Sequence, residues 1–188
     1  MQIKLLLIDF DGTLVDTRQA NYRAYRDVLK EVNFDLDEEE YLNTFFGMRC
    51  GEFMRRLGFT DSYEIDRMRR RKIEIYPKHF NIITLNQPLW DYAQSFRAEG
   101  GKVWIVSTGQ AINISNVMNH FSLTDKIDGL ITGADVKNSK PSAECYIKAM
   151  NREGMIPAES LIFEDSPVGI QAAIESGAHY IKVQLPKA

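Results

Sequence analysis

A chain of 188 residues, 44% hydrophobic and 26% charged, can bury a real core, and its composition excludes disorder as the main state. A formal net charge of −3 lacks the excess of basic charge that nucleic-acid binding requires, so no nucleic-acid partner is expected. Two cysteines, Cys50 and Cys145, share no ligand spacing. A disulfide framework is therefore not expected, and a reducing, cytoplasmic compartment is the default.

The first apolar run, Ile3–Ile8, is too short and too soon followed by acids to be a signal peptide or a membrane span. No membrane partner is expected. After Leu14 the chain reads almost wholly helical as far as Thr84. Tyr22, Tyr25, Val28, Leu29 and Val32 recur at helical spacing. Phe45, Phe53, Met54 and Leu57 form a second apolar set, and Ile65, Met68, Ile73, Ile75 and Tyr76 a third. The spacing predicts a helical insertion over 15–84, leaving 1–14 and 85–188 as the core domain.

Asn86–Pro88 starts a helix, since proline suits the first helical turn. Four more short apolar runs follow: Val103–Val106, Gly129–Ile131, Leu161–Phe163 and Tyr180–Val183. They are continuous rather than alternating, the pattern of strands buried on both faces. Helical stretches at Gln110–Phe121, Ala143–Arg152 and Pro167–Ser176 separate them. The alternation predicts an α/β fold, a Rossmann-like doubly wound parallel sheet with its ligand site at the carboxyl ends of the strands.

Four polar segments are each expected at the carboxyl end of one of these predicted strands. Asp9-Phe10-Asp11-Gly12 places two carboxylates where one must protonate or a cation must join them. Ser107-Thr108-Gly109 offers hydroxyls and N–H groups to an anion. Lys140 is a point charge suited to phosphate oxygens. Glu164-Asp165-Ser166 adds acids that complete a cation site with Asp9 and Asp11, and oxygen ligands beside an anionic substrate favour Mg2+. Each has a plainer reading: a polar turn for the first, helix caps for the second and fourth, a surface lysine for the third. Their joint placement, in this order, argues for chemistry.

With DFDGTLVDT at 9–17, STG at 107–109, SKPSAECY at 139–146 and FEDSPVGIQAAIESGA at 163–178, the chain resembles the haloacid dehalogenase superfamily. Within it, the chain is similar to the β-phosphoglucomutase/phosphoglycolate phosphatase group, which carries a helical cap after the first motif. The resemblance implies Asp9 as the nucleophile that forms an aspartyl-phosphate and Asp11 as general acid and base. It implies Mg2+ held by Asp9, the Asp11 backbone carbonyl and Asp165, with Glu164 as ligand or support. Ser107, Thr108 and Lys140 would bind the phosphoryl group. Many members of that group carry an Asp after the Lys-Pro pair that closes the segment onto the site; the nearest acid here is Glu144.

Two outcomes stand open under that resemblance: a phosphatase of a small phosphorylated metabolite such as a sugar phosphate, or a sugar-phosphate mutase. The mutases carry a His in the cap where this chain has Asn21. Asn cannot exchange protons as His can, which points to hydrolysis. Arg49, after Gly47-Met48, and Lys72, at the end of the basic run 67–72, are further cap candidates for substrate contact. The plainer reading of most of that run is a solvated helix face. A cap of this size suffices as a lid, so a monomer is expected. His79, His120 and His179 are dispersed, and Trp90 and Trp104 read as core.

Overall fold

The computed structural model describes residues 2–185. The chain divides into two compact units: the segment up to Asp16 together with Thr84 onward, and Thr17–Ile83. Seven strands are present among the described residues: β1 Leu5–Ile8, β2 Val15–Asp16, β3 Thr84–Leu85, β4 Lys102–Val106, β5 Gly129–Ile131, β6 Ser160–Glu164 and β7 His179–Lys182. Five of them form one parallel sheet in the order β5-β4-β1-β6-β7. Chain order reverses at β1, which pairs Leu6 with Val103 on one side and with Leu161 on the other. In an open α/β sheet that reversal opens a crevice at the carboxyl ends of the strands.

The central position of β1 explains its unbroken apolar run, because Leu5 to Ile8 are all fully buried between strands and under helices. The expectation of burial on both faces fails for β7. All four of its residues are exposed, since it lies at the sheet edge with β6 as its strand neighbour in this sheet. His179 and Lys182 suit such an edge. β2 and β3 pair antiparallel, Val15 with Leu85 and Asp16 with Thr84. This pair keeps residues 15, 16 and 84 in the sheet-bearing unit, where the sequence pattern assigned them to the insertion.

The α-helices are α1 Arg18–Lys30, α2 Glu38–Glu40, α3 Cys50–Arg56, α4 Ser62–Ile75, α5 Gln87–Ala98, α6 Ala111–His120, α7 Glu144–Glu153 and α8 Pro167–Ser176. The last four belong to the sheet-bearing unit. Asn86 caps α5 by accepting from Leu89 N–H, and Ser166 caps α8 by accepting from Gly169 N–H; caps of this kind are worth about 1 kcal/mol. A core of Leu5, Leu7, Trp104, Ile131, Tyr146 and Ala172 lies on one side of the sheet. Trp104 donates its indole N–H to Glu153 Oε1 at 2.7 Å, and Trp90 is buried as well.

The Thr17–Ile83 unit is helical throughout, with a π-turn at Tyr41–Phe45 and a 3-10 segment at Tyr76–Ile82. Its core is aromatic. Phe53 meets Tyr25, Tyr41 and Phe45 with ring centroids 4.9, 5.5 and 5.1 Å apart, geometry that adds to plain burial. On α4 the basic run is split. Arg69 pairs with Asp66, and Arg71 with Glu31 and Glu74, at the surface, whereas Lys72 is buried. His79 pairs with Asp27 at 2.9 Å.

Candidate active site

Asp9 follows β1 directly, and its backbone N–H donates to Phe163 O at 3.0 Å, extending the pairing with β6. The chain then turns at Gly12, whose φ of +95° suits glycine. A Cβ at Gly12 would also lie 2.5 Å from Asp165 Oδ2. The loop therefore approaches Asp165 as closely as only a glycine permits. Thr13, next along, donates its hydroxyl to Asp165 Oδ1 at 2.8 Å.

Lys140 reaches into this site from the segment ahead of α7. Its Nζ lies 2.5 Å from Asp9 Oδ1, 2.6 Å from Glu164 Oε1 and 3.4 Å from Val106 O. The surface-lysine reading thus fails, since the Lys140 side chain is only 6% exposed. Burial disfavours its ammonium, but Asp9, Tyr146 and Glu164 hold its pKa well above the ordinary lysine value. The Lys140–Pro141 peptide is cis, and the helix begins only at Glu144.

Glu164 is fully buried. Oε1 accepts from Lys140 and, at 3.1 Å, from the Tyr146 hydroxyl. Oε2 accepts from Ser166 N–H at 2.9 Å and from Ser166 Oγ at 3.1 Å. Gly169, one turn into α8, leaves the space this carboxylate fills.

Asp9, Glu164 and Asp165 each bring a carboxylate oxygen within 4.8 Å of the others. Burial and the nearby Glu164 charge push the Asp9 pKa well above the ordinary carboxylate range, with Lys140 opposing. Burial also raises Asp165, against the hydrogen bond from Thr13. Three crowded hard-oxygen groups have one ammonium among them, paired with Asp9 and Glu164, and that excess of negative charge fits a divalent cation. The half-buried side chain of Asp11 is not part of this carboxylate group.

Ser107 is buried at the end of β4, and its Oγ accepts from Gly109 N–H at 3.0 Å. It does not cap α6, whose N-cap position is Gln110. Thr108, half-buried, follows it. Glu144, the nearest acid after Lys140-Pro141, accepts from the backbone N–H groups of Lys137 and Asn138 at 2.7 and 2.8 Å. Those bonds hold its pKa below the usual range and brace the segment that carries Lys140. Burial pushes the neighbouring Cys145 thiol up to about 11, so it is a packing residue rather than a nucleophile.

In the helical unit, Asn21 and Lys72 come together. Lys72 Nζ donates to Asn21 Oδ1 at 2.8 Å and lies 3.5 Å from the Tyr76 ring centroid and 5.3 Å from that of Tyr25. Asn21 Nδ2 donates to Thr17 O and Tyr76 Oη. Arg49 is exposed, immediately ahead of α3.

Sequence reasoning passed over Thr13, Tyr146 and Gly169. The one available signal was Gly169, a helix-weakening residue inside a predicted helix, which marks close approach of another group. Tyr146 carried none, since it sits at an apolar position of α7 and only its hydroxyl is polar.

The sheet order brings the strand-end carboxylates and the buried lysine together in one α/β site. The chain belongs to the haloacid dehalogenase-like hydrolases, whose family model matches residues 6–183. Among curated relatives, the fructose-1-phosphate phosphatase YqaB of Escherichia coli is 27% identical, with 96% of each chain covered. The phosphorylated carbohydrates phosphatase of Thermotoga maritima is 25% identical over 95% of this chain and 84% of its own. In fold, the chain is similar to CbbY from Rhodobacter sphaeroides, solved with phosphate, at a TM-score of 0.88 and 23% identity over 97% and 87% of the two chains. It is similar likewise to β-phosphoglucomutase from Clostridium difficile, at 0.83 and 22% over 96% and 84%. No helix among the described residues is long and apolar enough to cross a membrane.

Proposed function

We propose that this chain is a Mg2+-dependent phosphatase of a small phosphorylated metabolite, a sugar phosphate by class, acting through an aspartyl-phosphate at Asp9. The observation that carries the reading is Lys140 Nζ, held 2.5 Å from Asp9 Oδ1 and 2.6 Å from Glu164 Oε1 beside a surplus of carboxylates. The phosphatase relatives support the substrate class.

In this reading an Asp9 oxygen attacks phosphorus while the bond to the leaving oxygen breaks and Asp11 delivers a proton to it. Asp11 then takes a proton from water, which attacks phosphorus and returns Asp9 as carboxylate with release of phosphate. Lys140 opposes the rise that burial gives the Asp9 pKa and faces phosphoryl charge, and Ser107 and Thr108 bind phosphoryl oxygens. Asp9, Asp165 and the Asp11 carbonyl would hold Mg2+, with Glu164 as ligand or support. When bound, Mg2+ supplies neutralisation of the phosphoryl charge.

The helical unit is proposed as the specificity cap, with Asn21, Arg49 and Lys72 as substrate contacts. Asn21 carries no exchangeable acid or base, which supports release to water over transfer back to a sugar. Two buried free cysteines support a reducing, cytoplasmic setting.

The test is a panel of phosphorylated metabolites incubated with Mg2+ or with chelator. Free phosphate from a sugar phosphate, lost with chelator, is the expected result. An isomeric sugar phosphate without free phosphate would make the chain a mutase instead.

A further inference from the structure

We infer that Tyr146 is a positioning residue of the phosphoryl site, acting through Glu164 on Lys140. The inference rests on the reading of Lys140 as the cation that faces the phosphoryl group. Lys140 hangs on a long flexible side chain, and its aim is set by what holds Nζ. One anchor is Asp9, which must leave that contact in part when it becomes an acyl phosphate. The other is Glu164 Oε1, 2.6 Å away, which takes no part in the covalent step.

The position of Glu164 is fixed from three sides. Ser166 donates twice to Oε2, Gly169 leaves room for the carboxylate, and Tyr146 donates to Oε1 at 3.1 Å. The Tyr146 hydroxyl therefore shares the oxygen that Lys140 uses. Its ring also lies 4.9 Å below the ammonium, within cation–π range. Tyr146 is fully buried on α7, a rigid element, and its phenol is kept neutral and donating by burial. It touches the lysine and its anchor Glu164 and has no hydrogen bond to Asp9 or Asp165 among those described, so its effect reaches the site through Glu164 and the lysine.

The experiment compares wild type with Tyr146→Phe, which keeps the ring and deletes the donor. It reads phosphate release from the best substrate and the affinity for inorganic phosphate, both with Mg2+ present. The expected result is a loss of about tenfold in kcat, a weakening of phosphate affinity of about fivefold, and an unchanged Mg2+ requirement. In a Glu164→Gln background the same change should have less than about a twofold effect on phosphate affinity, because the residue it acts through is gone. Met150→Ala, a packing change one turn further along α7, should lower Tm while leaving the kinetic constants in place. Tyr146→Phe with only a lowered Tm and wild-type constants overturns the inference, as does full additivity with Glu164→Gln. A wild-type chain that binds phosphate but releases none refutes the phosphatase reading, and the affinity comparison still decides the role of Tyr146. A wild-type chain that binds no phosphate overturns both.

Discussion

A side chain on Gly169 would occupy the place of the Glu164 carboxylate: its Cβ would stand 1.7 Å from Oε1 and 2.0 Å from Cδ. Helix α8 thus gives up helix propensity in its first turns to house a buried acid from β6. Alanine normally stabilises a helix over glycine by about 1 kcal/mol. Here Gly169→Ala should destabilise, by about 1–3 kcal/mol, as overpacking does. It should also displace Glu164 from Lys140. Urea denaturation and phosphate release of this variant are expected to fall together.

Lys140 is the cation that Asp9 and Glu164 share. Lys140→Met removes it while leaving Asp9 and Glu164 buried, and breaking a buried pair in this way costs about 3–5 kcal/mol. The variant should therefore unfold at markedly lower urea as well as lose activity. Divalent cation should recover part of that loss, because the uncompensated acids would then have a partner. Denaturation midpoints with and without Mg2+ check both statements.

The helical unit depends on Phe53, buried and in contact with three other rings. Phe53→Ala should cost about 3–5 kcal/mol. Amide exchange should report the loss first in residues 17–83, which form their own compact unit.

Asp128 offers a pH signature away from the site. Burial raises its pKa, but the hydrogen bond from Val103 N–H and the Arg97 and Lys102 cations more than offset this and hold the carboxyl below its ordinary value. A depressed folded-state pKa contributes stability that is complete above the unfolded-state value of about 4 and lost as pH falls through the folded-state value. Asp128→Asn should therefore lower stability at pH 7 and flatten its decline in acid. Urea titrations of both proteins at several pH values measure this.

Much of the sheet was legible because its central strands are continuous apolar runs with acids or hydroxyls at their carboxyl ends. Pro167–Ser176 and Gly129–Ile131 occur as helix and strand with the expected bounds, since proline and flanking turns punctuate both. β7 misled, because Tyr180 and Ile181 read as core although they are exposed at an edge, and apolar sequence alone does not reveal which strand lies outermost. The pairing of Val15–Asp16 with Thr84–Leu85 was hidden by its length of two residues. Within the candidate site, charged groups announced themselves at strand ends. The Tyr146 hydroxyl did not, because tyrosine at a buried helical position looks like any other large apolar residue until its partner is known.

Covalent catalysis by Asp9 stands or falls with the Asp9→Asn variant. The substitution keeps the shape of a buried side chain whose burial already disfavours its charge, so the fold should survive. Phosphate release from the best sugar phosphate with Mg2+ should fall by about a thousandfold or more, with Tm shifted by only a few degrees. A folded Asp9→Asn protein that releases phosphate at the wild-type rate would contradict the account.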